Sequence, residues 1–403
     1  MEAGEVIGRR TLLRRAGAGA LWSAATGLAA QPRVRLGLVG CGGRGRYVAG
    51  IMVEAGAQVV AMADLFADRI ASAKAHVDAI LQQQGLPPVA ADRLYRGPDS
   101  PARLAHSDLD AILIAITPHY YPQVLATVAE AGKHIYCEKP VATDVAGCHK
   151  VVEIGRKVDG KITFHVGLQL RYAPSLQELV RRVHAGAIGD IVAGEAYFYY
   201  YGGNRQTPKG VGPDEARLRT WGGDRVLSGD IIVEQNVHSI DKVNWVMRGH
   251  PIAVEATGGR GVRSDAGDVW DHFEAILHYP RNVPISFRST QFLKGWSDVG
   301  ERFFGAKGVT EAHYEGPVRI LGANPWDAGV KGTRTGTEAA KAQAFLEDIR
   351  TGKLRNESFQ GAESTLSAIL VRTAAYSART ATWDEVVSSN AKWDANIDLR
   401  QFA

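Results

Sequence analysis

Short apolar runs of strand length alternate along the first part of the chain with stretches whose apolar positions recur every three to four residues. Residues 34–39, 58–63, 111–116 and 133–137 have the strand pattern, and residues 46–54, 68–84 and 121–131 the helical one. Strands that alternate with helices build a parallel sheet covered on both faces. The pattern predicts a doubly wound α/β domain over residues 33–160. From residue 161 it changes: 162–167, 191–201, 254–258, 273–279, 283–291 and 302–305 have strand composition with few crossovers. That predicts an α+β domain over residues 161–380 with a large, mostly antiparallel open sheet. Helical stretches at 338–351 and 362–380 are expected to return and brace the two domains, and 381–403 is read as a tail. The Gly- and Arg-rich loop 202–229 has the length of a lid or of a disordered segment. With 403 residues and 45% apolar content, the chain is long enough for two domains, each with its own core.

The N-terminus changes this picture first. Paired Arg9 and Arg10 precede a soft apolar run from Ala16 to Ala30, too short for the roughly 20 residues of a membrane span. A basic start, a modest apolar run and small residues before Gln31 read as a cleaved export signal, residues 1–31, of the twin-arginine (Tat) type. This predicts a periplasmic protein, with the export machinery as a partner and no stable membrane span after processing. The formal charge is +4, and the first thirty residues carry four Arg against two Glu. A nearly neutral remainder without a basic stripe excludes nucleic acid as a partner. Cys41, Cys137 and Cys148 lack CxxC spacing, so they read as isolated buried thiols, and no metal site is expected.

Residues 40–45, Gly-Cys-Gly-Gly-Arg-Gly, stand between the first strand and the first helical stretch. A GxGxxG pattern in that place is a dinucleotide fingerprint. Gly40 allows the tight turn, Gly42 and Gly43 let a pyrophosphate approach the backbone, and Gly45 lets helix and strand pack closely. The helix start offers free N–H groups to phosphates. Asp64 ends the second strand 19 positions after Gly45, placed for ribose hydroxyls and against a 2′-phosphate. This Rossmann reading favours NAD over NADP as cofactor, with Arg69 taken as a solvated helix residue.

The run Ala131-Gly132-Lys133-His134-Ile135-Tyr136-Cys137-Glu138-Lys139-Pro140, preceded by Thr117-Pro118, resembles the signature of the Gfo/Idh/MocA oxidoreductases. The likeness extends over about residues 33 to 380. Glu234-x3-His238-x2-Asp241 fits the spacing of that family's second-domain motif, with Glu for the commoner Asp and Asn236 for a common Gly. Pro122 stands where the family has a His. On one helix Glu234, His238 and Asp241 would share a face, although the same residues also read as an ordinary amphipathic helix with a surface histidine.

The resemblance implies an enzyme that oxidises hydroxyl groups of a sugar or polyol. It implies His238 as acid/base, Lys139 as its electrostatic partner and Glu234 as the group orienting sugar or imidazole. Thr117, Pro118, Glu138 and Lys139 would border the cofactor, and Lys139–Pro140 would be cis. Arg171, Tyr172, Tyr199, Trp221 and Asp241 are candidate substrate contacts, Asp241 with the stronger claim to a structural role. A homo-oligomer, dimer or tetramer, through the C-terminal sheet is also implied. Three functional readings stay open: net oxidation of a carbohydrate hydroxyl with tightly bound NAD, redox-neutral glycoside hydrolysis or elimination through transient oxidation, and a non-catalytic sugar-binding relative.

Overall fold

The computed structural model describes residues 32–202, 206–334 and 336–403; the expected signal, residues 1–31, lies outside them. β1 (Val34–Val39), β2 (Ala57–Asp64), β3 (Leu94–Arg96), β4 (Ala111–Ile114), β5 (His134–Cys137) and β6 (Phe164–Val166) form a six-stranded parallel sheet in the order β3-β2-β1-β4-β5-β6. The central strands are apolar almost throughout because helices cover both faces. The strand near residue 164, expected to open the second domain, instead completes this sheet beside β5.

A nine-stranded, mostly antiparallel sheet follows. It contains β7 (Ile191–Tyr199), β8 (Ala253–Gly259), β9 (His272–Tyr279), β10 (Val283–Thr290), β11 (Asp298–Gly305), β12 (Gly308–His313), β13 (Val318–Gly322), β14 (Trp326–Asp327) and β15 (Ala381–Thr382). Their order is β14-β13-β12-β11-β7-β10-β9-β8-β15, and only β7 and β10 run parallel to each other. Residues read as a tail therefore supply an edge strand, followed by the helix Trp383–Ser388.

The expectation of a separate core for each sheet is corrected. One continuous apolar cluster runs from Ile112 and Ile135, through Ile369 and Leu370, to Phe273 and Phe303. The buried helix Ser358–Ser377 carries it across. Two glycines permit that crossing: a Cβ on Gly155 would sit 2.0 Å from Ser358 Oγ, and one on Gly361 2.9 Å from Val166 Cγ2. A second cluster covers the other face of the parallel sheet and includes Phe345 and Leu346 from helix Thr337–Arg350.

Candidate active site

A cleft of about 680 Å³ opens at the carboxyl ends of β1, β2, β4 and β5, where open α/β sheets bind ligands. Its floor is the glycine turn. Gly40 has φ +93°, and a Cβ there would lie 2.2 Å from Ala115 O. A Cβ on Gly45 would lie 1.9 Å from Gly40 O, so helix Gly43–Glu54 rests directly on the turn. Gly42 caps that helix in an extended conformation without a side-chain cap, and nothing lies within 4 Å of a Cβ built on Gly43. Uncapped N–H groups facing open space form a cradle for an anion. Asp64 stands at the lip, accepting from Cys41 N at 2.7 Å and Phe66 N at 2.9 Å. Burial pushes its pKa up, and the two N–H donors pull against that. Thr117 and Pro118 line the wall above β4. These residues fit a nicotinamide dinucleotide.

Glu138 and Lys139 leave β5 side by side, and Lys139–Pro140 is cis. Glu138 is buried, held by Arg44 at 2.7 Å, and its Oε2 has no partner among the described residues. A Cβ on Gly167 would come within 2.6 Å of that oxygen. Arg44 is also paired with Glu338 at 2.7 Å. Lys139 Nζ donates to the backbone carbonyl of Glu234 and lies 3.4 Å from its Oε1. His238 borders the same cleft, only 8% exposed, with Nδ1 buried and without a partner among the described residues. Burial first, then the positive charges of Lys139, Arg44 and Lys242, hold the imidazole well below its ordinary pKa. It is a neutral base facing a cationic neighbour.

The single helix expected for Glu234, His238 and Asp241 is broken. Ile231–Glu234 is one short helix and Val237–Met247 another, and Asn236 N reaches back to Ile231 O. Asp230 starts the first with φ +74°, its carboxylate taking Ile231 N, Trp270 N and the Tyr376 hydroxyl. Glu234 and His238 reach the cleft, whereas Asp241 turns into the protein. There it pairs with Arg171, at 2.8 Å from Nη2, and accepts from Ser364 Oγ at 2.7 Å.

Arg171 and Asp241 thus satisfy each other, and neither lines the cleft. Tyr172 is also outside it, donating its hydroxyl to Glu357 in a buried network with Lys341. Tyr199 stacks between Tyr197 and Trp296, at 5.3 and 5.6 Å, on the outer face of the second sheet. Strand alternation sends its neighbours Phe198 and Tyr200 into the cleft instead, together with Trp221. Sequence reasoning missed Arg44, Phe198, Tyr200 and Arg69. The last is not merely solvated: it borders the cleft, and a Cβ on Gly42 would meet Arg69 Nη1 at 2.8 Å. Counting one residue either side of Tyr199 would have found Phe198 and Tyr200.

Residues 34–167 match a family model described as "Oxidoreductase family, NAD-binding Rossmann fold", and residues 176–311 match the GFO/IDH/MocA C-terminal domain. The two matches together span more than half of the chain. It belongs to the Gfo/Idh/MocA family. Members of this NAD(P)-dependent dehydrogenase family act on sugar hydroxyls. The inositol 2-dehydrogenase of Acidothermus cellulolyticus is 26% identical over 349 residues, covering 84% of this chain and 92% of its own. Inositol 2-dehydrogenase 3 of Saccharopolyspora erythraea is 34% identical over 159 residues, 39% of this chain and 42% of its own. Among solved structures, a levoglucosan dehydrogenase in complex with NADH and levoglucosan superposes with TM-score 0.71 at 17% identity, covering 87% of this chain and 99% of that one. The aldose-aldose oxidoreductase of Caulobacter crescentus, complexed with glycerol, gives 0.69 at 20% identity, covering 87% and 100%. At these identities the likeness establishes the Gfo/Idh/MocA fold.

Proposed function

We propose that this protein oxidises a secondary hydroxyl of a sugar, polyol or glycoside and keeps its NAD bound between turnovers. The observation that carries the reading is the convergence of Lys139 and His238 on one cleft with the glycine cradle, close enough for the lysine to depress the histidine's pKa. Oxidising an alcohol needs a proton acceptor at oxygen and a hydride acceptor at carbon. NAD, when bound, supplies the second. His238, neutral at ordinary pH, takes the hydroxyl proton. The ammonium of Lys139 stabilises the negative charge that develops on that oxygen. Glu234 holds the ammonium in place through its carbonyl and carboxylate. Phe198, Tyr200 and Trp221 offer ring faces to the carbon side of a sugar.

Asp64 at the lip favours NAD over NADP. The Arg9–Arg10 leader supports export to the periplasm, where free nicotinamide cofactor is scarce. A cofactor that stays bound must be returned to its starting state in each cycle, which favours pairing one sugar's oxidation with another's reduction. The outer face of the second sheet exposes Ile276, Phe304 and Leu321 among ion pairs such as Arg302–Glu195. We place a second copy of the chain on that face, and the molecular mass in solution checks it.

Denaturing the purified protein and assaying the released NAD(H) tests retention. Absorbance of the bound nicotinamide is then followed as sugars and aryl glycosides are added. A reduced cofactor that a second sugar reoxidises supports the oxidoreductase reading. Glycoside cleavage without net redox change replaces it with the hydrolytic one, and no spectral change with any carbohydrate leaves a binding protein.

A further inference from the structure

The wall of the cleft beyond Asp64 comes from three distant parts of the sequence. Phe66 and Arg69 follow β2, Leu218 and Trp221 belong to residues 213–223, and Leu399 belongs to residues 395–402; all five line the cleft. The three segments are fastened to one another. Arg219, at the end of helix Pro213–Arg219, forms a bidentate pair with Asp68, both contacts at 2.9 Å, and lies over the Phe66 ring at 4.1 Å. The carbonyl of Arg219 accepts from Arg69 Nη2 at 3.4 Å. Arg217 Nη1 donates to Ala395 O at 2.9 Å, and Gln401 Nε2 to Asp214 Oδ2 at 2.9 Å. Phe402 meets Phe66 edge-on at 5.7 Å. Leu218, Leu227 and Ala395 are buried at the centre of this contact, with Trp221, Leu399 and Phe402 packed around them. The later segment is itself anchored, since Trp393 N donates to Asp144 at 2.7 Å and its ring lies 3.7 Å from the Arg372 guanidinium.

We infer that residues 213–223 and 395–402 form a clasp over the adenosine half of the dinucleotide, which makes the cofactor a resident group. This rests on the reading of the cleft as an NAD site. Asp64 marks the ribose position, so a base attached to that ribose extends toward Phe66, Leu218 and Leu399. That end of the cleft is apolar and has an Arg69 guanidinium at its edge. A dinucleotide leaving this end must part the Arg219–Asp68 pair and the Phe66–Phe402 contact, neither of which touches the reacting carbon. The clasp therefore acts on the rate of cofactor loss.

The test compares the full-length protein with Arg219→Ala, Asp68→Asn and Phe402→Ala. NAD(H) content is measured after purification, and release is timed by chasing bound NADH fluorescence with excess NAD+. Asp68 is an exposed partner of the pair, so Asp68→Asn breaks the clasp without disturbing a core, and circular dichroism confirms the fold of each variant. The wild-type protein is expected to purify with NAD(H), and the variants to release it about two- to fivefold faster, because such losses appear mainly in the off-rate. Variants that release NADH as slowly as wild type overturn the clasp while leaving the NAD site intact. A wild-type protein that neither carries NAD(H) nor binds it on titration removes the site reading and the clasp with it.

Discussion

Gly45 offers a prediction whose size follows from geometry. In Gly45→Ala the new Cβ would start 1.9 Å from Gly40 O, whereas contacts under 3.0 Å are essentially absent from real structures. The helix Gly43–Glu54 must retreat by about 1.1 Å to reach even that limit. The obstructing atom is backbone, so no side-chain rotation relieves it. Overpacking of this kind costs about 1–3 kcal/mol, and the better helix propensity of alanine returns about 0.5–1 kcal/mol. The net expectation is a loss of about 1 kcal/mol, seen as a fall of about 1–2 °C in Tm. Gly43→Ala is the matched control. It makes the same chemical change two residues earlier, where nothing lies within 4 Å, so its Tm should stay at or slightly above wild type. Its methyl nevertheless enters the cleft, so NAD binding should weaken by about tenfold, or about 1.4 kcal/mol. Thermal unfolding of the NAD-free proteins and NAD titration separate the two effects. If Gly45→Ala melts with wild type, or Gly43→Ala loses as much stability, the claim of a helix seated on its own turn is wrong.

Lys139→Met should lower kcat by about 10²–10³-fold. It should also move the acidic limb of the pH–rate profile upward, since one cation that keeps His238 deprotonated is gone; an unmoved limb would separate the two residues. Asp230 has its pKa pushed up to about 6 by burial, so the folded state holds a proton that the unfolded chain has released. That contribution to stability is present below the unfolded carboxylate value of about 4 and is lost as pH rises through about 6. Urea unfolding of Asp230→Asn across this window should show a flatter pH dependence than wild type. Asp241→Ala strands Arg171 in a largely buried position and should cost about 3 kcal/mol, while KM for the sugar stays unchanged. A raised KM would restore Asp241 as a substrate contact.

What the sequence made legible was local. The glycine turn, the strand ending in Asp64 and the Glu138-Lys139-Pro140 exit each occupy a handful of consecutive residues, and their chemistry is stated by residue type and order. The break at Gln235–Asn236 was invisible because Glu234, His238 and Asp241 keep helical spacing across it. The short helix before it starts at Asp230, whose partners Trp270 and Tyr376 are far along the chain. β6 was assigned to the wrong sheet for a similar reason. A three-residue strand after a turn looks alike whether it closes one sheet or opens another, and only pairing with β5 decides. Arg171 and Asp241 looked available as ligands because a sequence does not show that they neutralise each other.

The apolar cluster running without interruption through both sheets limits how such a protein can be rearranged. A fragment cut near residue 160 would lack its outermost strand. It would also bare one face normally covered by Phe345 and Leu346 and the other normally covered by the helix Ser358–Ser377. The nucleotide-holding half is therefore not a transplantable module. Chimeras that exchange it between relatives should be spliced so that the two late helices travel with the parallel strands, and new substrate preferences are better sought in the loops rimming the cleft than by recombination of halves.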